Sequence, residues 1–144
     1  MAPKGTFFVL LLFFLLAGCG SASASGRVPP GPTSLRVIRV SSNPYGSHIA
    51  PFDQTVTDTT DVQRLYAAIQ GLPAAQGTYN CPKDIGLVYH LNFLQGTTST
   101  QQMDLQASGC QFLHISKTDV RVTNASFLSL FTTTVGIASM IPGS

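Results

Sequence analysis

Tryptophan and glutamate are both absent from this 144-residue chain, and only 10% of its residues are charged. All six acids are aspartates, set against eight Lys and Arg with no basic run. A near-neutral chain of this kind lacks the electrostatic footprint of a nucleic-acid binder, so no nucleic-acid partner is expected. Without Glu, solubility has to come from Thr, Ser, Gln and Asn, a composition common in exported proteins. The absence of Trp argues against a carbohydrate-stacking platform built on Tyr66, Tyr79 or Tyr89, which read better as core or core-edge aromatics. Catalytic signatures are missing too. There is no Gly-x-Ser-x-Gly elbow, P-loop or Gly-x-Gly-x-x-Gly. His48, His90 and His114 lack ligand spacing, and the three cysteines include no Cys-x-x-Cys, so neither a metal nor another cofactor is expected.

One long hydrophobic run is present, and it is short for a membrane span. Phe7 to Leu16 follows the positive Lys4 and amounts to about ten residues, against about 20 needed to cross a bilayer. It reads as the apolar core of a signal peptide covering residues 1–18. Leu16-Ala17-Gly18-Cys19 behind it resembles the bacterial lipoprotein signal at every position. That resemblance implies diacylglyceryl attachment at Cys19, cleavage before it and frequent acylation of the new amino group, palmitate included. Two or more acyl chains anchor a protein stably where one does not. The expected location is the extracytoplasmic face of the cell membrane, with the lipid anchor as the membrane contact.

Residues 19–33 are rich in Gly, Ser and Pro and cannot bury enough apolar surface to fold, so they read as a tether. Residues 34–144 then make one domain.

The domain is organised around Gly77–Cys110. Leu87, Tyr89, Leu91 and Phe93 alternate with Val88, His90, Asn92 and Leu94, which sends an all-apolar set to one face of a strand. Gly96 to Ser99 reads as a turn, and Met103, Leu105 and Ala107 return as the inner face of the partner strand. Closing this hairpin brings Cys110 back toward Cys81. With Cys19 acylated, these two remain as an even pair in an oxidising compartment, and a structural disulfide is favoured over reactive thiols.

Around this centre, Leu35–Val40 reads as a strand whose Arg36 and Arg39 point to opposite faces, which suits an edge or strand ends better than a central position. Ser41–Pro51 is a loop, and Gln54–Thr57 a second short strand. Asp61–Gln70 has helical spacing at Val62, Leu65, Tyr66 and Ile69, with Thr60 as cap, Gln63 completing a capping box, and Gly71 and Pro73 as the stop. Phe112–Ser116 and Val120–Val122 continue the meander. Asn124 caps a second helix through Phe127, Leu128, Leu130, Phe131 and Val135, weakened by Thr132–Thr134. The order predicts an α+β fold: a small antiparallel meander with two helices on one face and one disulfide.

Asp58, Leu65-Tyr66, Leu72-Pro73, Gly77-Thr78-Tyr79-Asn80-Cys81-Pro82, Asp84, Gly86, Tyr89, Leu91, Phe93 and Gly109-Cys110 are together similar to a group of small exported proteins, mostly uncharacterised, from actinobacteria and similar soil bacteria. The resemblance spans roughly residues 35 to 135. It supports the disulfide and the last helix, with Phe127 and Phe131 where the group often has an aromatic pair. It implies no catalytic or binding residues.

The one polar cluster legible in the sequence is His90, His114 and Asp104 on neighbouring strands. Its bland reading is a solvated sheet surface, and its sharper one is metal or acid–base chemistry. Asp84, beside the Gly86 turn, reads as a cap of its own backbone. The expected function is therefore a lipid-anchored module that binds an envelope protein or peptide. The alternatives are a small envelope hydrolase or metal-assisted enzyme using the histidine cluster, and an inhibitor of a secreted enzyme inserting the Ser41–Pro51 loop.

Overall fold

The computed structural model describes residues 31–41 and 49–143. The expected signal peptide, Cys19, nearly all of the expected tether, His48 and most of the expected Ser41–Pro51 loop lie outside the described residues.

Eight elements follow one another: β1 (Ser34–Ser41), β2 (Phe52–Val56), α1 (Thr59–Gln70), β3 (Leu87–Gln95), β4 (Thr98–Gln106), β5 (Leu113–His114), β6 (Val120–Arg121) and α2 (Ala125–Val135). The strands form one antiparallel sheet in the order β2-β1-β3-β4-β5-β6. The α+β meander with both helices on one face and a single Cys81–Cys110 bridge is the fold predicted from the sequence pattern.

Alternation explains the core. Leu87, Tyr89, Leu91 and Phe93 on β3, Leu35 and Val37 on β1, and Met103 and Leu105 on β4 all face the helices and are buried. Val62, Leu65 and Ile69 of α1 and Phe127, Phe131 and Val135 of α2 close over them in one continuous cluster. Each fully buried side chain of this size contributes about 1.5–3 kcal/mol. Tyr89 sits at the hub. Its ring meets Phe52 and Phe131 edge-on at 6.4 and 5.3 Å, and its hydroxyl donates to the Met140 carbonyl at 2.9 Å, tying down the C-terminal segment.

Three expectations need correction. First, β1 is central, between β2 and β3. Its inward-turned arginine is tolerated because the Arg39 guanidinium lies at the strand end over the Phe52 and Tyr89 rings and donates to the Ala50 carbonyl at 2.6 Å. Second, α1 begins at Thr59, and its cap is Asp58, whose carboxylate accepts from the Asp61 N–H at 3.0 Å. An ionised cap complements the helix N-terminus better than a Thr hydroxyl. Third, Tyr79 is exposed rather than core-bound, stacked edge-on against Phe112 at 4.9 Å.

Other local readings hold. Asn124 caps α2, accepting from the Phe127 N–H at 2.8 Å. The helix closes in a Schellman motif: left-handed Gly136 donates to Thr133, and Ile137 donates to Thr132. That cap and three buried apolar residues outweigh the weak threonine run.

The bridge joins the strands' lower end as the hairpin requires, with Cα atoms 4.9 Å apart, inside the range a disulfide can span. Asp84 does cap its own backbone, accepting from the Gly86 N–H at 2.9 Å. It also accepts from the Ser108 hydroxyl at 2.6 Å, while Ser108 accepts from the Ile85 N–H. Gly109 is left-handed where a Cβ would stand 3.2 Å from that of Asp84, so glycine is required at this contact.

Candidate functional site

Both helices lie on one side of the sheet, so the side chains of opposite parity form a second, open face. Among the described residues no element covers it. Register places its members in rows. Ile38, His90, Asp104 and His114 stand directly opposite one another across β1, β3, β4 and β5. Val40 faces Val88 and Gln106 in the next row, and Arg36 faces Asn92 and Gln102 on the other side.

The three residues singled out from the sequence are therefore neighbours in space. His90 Nδ1 lies 2.5 Å from Asp104 Oδ1, with the two side chains 47% and 53% exposed. That exposure matters because it marks a surface pair, worth at most about 1 kcal/mol, rather than a buried reactive centre. Among the described residues no group of three or more His, Cys, Asp or Glu is arranged to hold a metal ion. Asp104 instead stands on a ridge between two shallow hollows. One, about 300 Å³, is bounded by Arg36, Ile38, His90 and Asn92. The other, about 500 Å³, is bounded by Val88, Gln102, His114, Ser116 and Lys117.

Charge on the face is largely neutralised in pairs. Arg36 grips Asp53 of β2 through two hydrogen bonds, at 3.0 and 2.6 Å. The Arg36 hydrogen bond holds the Asp53 carboxyl below its ordinary pKa against the opposing desolvation, and raises that of Arg36 in return. On the helix side of the far edge, where Arg121 stands across from buried Leu113, Arg121 holds Asp119 in the same way through hydrogen bonds at 2.6 and 3.1 Å, and lowers that carboxyl likewise. Lys117 differs: it makes no ion pair among the described residues.

No family model, curated protein or solved structure matches this chain. The reading of function therefore rests on the chain's own residues.

Alternation within β4 foretells that Gln102, Asp104 and Gln106 share a face, so part of this surface is legible early. The contributions of Arg36, Asp53 and Lys117 are not. Arg36 and Asp53 meet because β1 pairs with β2 across a loop, and Lys117 reaches the hollow because β5 ends after two residues. The inhibitory-loop alternative cannot be located on the surface, since residues 42–48 lie outside the described residues.

Proposed function

We propose that this protein is a lipid-anchored, extracytoplasmic binding module that engages an envelope protein or peptide through the open face of its sheet. The carrying observation is the one-sided fold: both helices cover one face, while the other presents an open mixed surface of Val40, Val88, Asn92, Gln102 and the His90–Asp104 pair. A typical specific interface has this composition, polar groups among apolar ones with few free charges. The anchor is supported by the Leu16-Ala17-Gly18-Cys19 signal and the tether behind it. The enzymatic alternative has weaker support. Asp104 orients the His90 ring, but among the described residues no nucleophile is aligned with it.

Affinity capture from solubilised membranes, with the full-length protein as bait, tests the reading. Substituting Val40→Lys together with Gln102→Lys on the open face should abolish specific capture, whereas Ser129→Lys on the outer side of α2 should not. Equal capture by all three baits would refute the role of the open face. Mass spectrometry should show cleavage after Gly18 with a thioether-linked diacylglycerol on Cys19, and Cys19→Ala should leave the membrane fraction. Undiminished membrane recovery of that variant would refute the anchor.

A further inference from the structure

An antiparallel sheet is vulnerable wherever a strand has an unpaired edge, and each edge here is treated differently. The β2 edge is only five residues long and carries Asp53. The β6 edge is closed by the segment after α1: Ala74 bridges Arg121, Ala75 donates to Val120, and Val122 donates to Pro73. The outer edge of β4 is different. β4 runs nine residues from Thr98 to Gln106, yet β5 pairs with it only at Asp104 and Leu105. Beyond His114 the chain leaves the sheet in a tight turn, where Ile115 and Ser116 both donate to the Asp119 carbonyl.

The ladder shows which groups are left facing out. Gln106 donates outward to Phe112, and Ala107 donates inward to Leu87. Antiparallel alternation therefore turns the backbone N–H and C=O of Asp104 and Gln102 outward as well. Asp104 meets His114, whereas the position opposite Gln102 is where the chain has already turned away. An extra residue at Thr100 bends the strand above this point, so the flat template is the stretch beside Gln102. The vacated place opens onto the 500 Å³ hollow, with Lys117 and Ser116 on its wall.

We propose that this notch receives an extended peptide segment of another protein, added antiparallel along the outer edge of β4, with an acidic side chain of the peptide facing Lys117. The inference rests on the binding-module reading and names its partner. Strand addition supplies main-chain hydrogen bonds through Gln102, and the hollow supplies side-chain selection. Lys117, the cation on this wall without an ion partner among the described residues, sets the charge preference. The chain's own lead segment is a poor occupant, because Pro29, Pro30 and Pro32 have no N–H to donate to a strand.

The test is an NMR titration of the full-length, isotope-labelled protein in detergent. The probes are blocked hexapeptides Thr-Val-Thr-Val-X-Thr with X as Glu, Gln or Lys. The Glu peptide should shift the amide resonances of Gln101–Asp104 and Ser116–Thr118, slow exchange of the Gln102 amide, and bind about two- to five-fold more tightly than the Lys peptide, the span of an exposed ion pair. Lys117→Gln should erase that preference and Lys117→Glu should reverse it, and both substitutions lie in an exposed turn. Shifts confined to β2, a preference unchanged by Lys117→Glu, or no shift with any peptide would overturn the inference. So would notch shifts that grow with protein concentration alone, which would assign the edge to a second copy. If the peptides fail while Val40→Lys/Gln102→Lys still abolishes capture, the notch falls and the open-face reading stands.

Discussion

Removing the Cys81–Cys110 bridge should cost about 3.6 kcal/mol. The two residues are 29 apart in sequence, and the chain-entropy relation for a loop of that size gives roughly this value at 25 °C. Two features of the structure keep other contributions small. Cys81 is exposed and Cys110 half-buried, so replacing sulfur by a hydroxyl leaves no core cavity. The native ends also stay pinned without the bond, through Asp84 to Gly86 and Ser108, through Ser108 to Ile85, and through the Tyr79–Phe112 stack. The loss therefore falls on the unfolded chain, which regains its freedom. For a domain of about 110 residues, an unfolding entropy near 2.1 cal/mol/K per residue converts the loss into a Tm lower by about 15 °C. The assay is urea and thermal unfolding of Cys81→Ser/Cys110→Ser beside the oxidised parent. The variant should keep the native far-UV and near-UV signals and show a steeper urea dependence, because its unfolded state exposes more surface. A Tm within 3 °C of the parent, or a loss below about 1 kcal/mol, would refute the reasoning.

Three further outcomes follow from named contacts. Asp58→Ala should destabilise by about 1 kcal/mol in urea titrations while Thr60→Ala stays within a few tenths, because the capping carboxylate belongs to Asp58. Tyr89→Phe should cost about 1–2 kcal/mol by the same measurement, since it leaves the buried Met140 carbonyl without its donor; an unchanged midpoint would dismiss that bond. The Asp53 and Asp119 carboxyls are depressed by Arg36 and Arg121, so their contribution is present above the ordinary carboxylate pKa of about 4 and is lost as pH falls through the lower folded values. Urea midpoints measured from pH 6 down to pH 2 should therefore fall less steeply in Arg36→Met/Arg121→Met than in the parent, and parallel curves would contradict the assignment.

Readings built on local periodicity transferred to the structure with little change. The alternation of Leu87 to Phe93 is a property of adjacent residues, and it decided which face of β3 is buried before any partner was known. Asn124, Asp84 and the two halves of the central hairpin act within a few residues of themselves or across one turn, so their roles were legible too. The cap of α1 lies two residues before the expected Thr60 because Asp58 and Thr60 are both competent caps. What decides between them is where Val62, Leu65 and Ile69 meet the sheet.

What the tertiary structure alone decided is which strands became neighbours. The arginines of β1 read as marking an edge strand or strand ends, but the strand pairs with β3 across some fifty residues, and that choice made it central with Arg39 at its end. Non-local pairing leaves no periodic trace in the chain, because its energy comes from burying the shared face and not from either strand by itself. The β1–β2 pairing brought Arg36 to Asp53, and the β3–β4 and β4–β5 pairings set His90, Asp104 and His114 in one row. The early end of β5 is also a tertiary result: the hydrogen bonds of the 115–119 turn and the Arg121–Asp119 pair draw the chain away from β4 after two residues. The open notch beside Gln102 is therefore a consequence of where a neighbouring turn finds its own partners, and only the folded chain could reveal it.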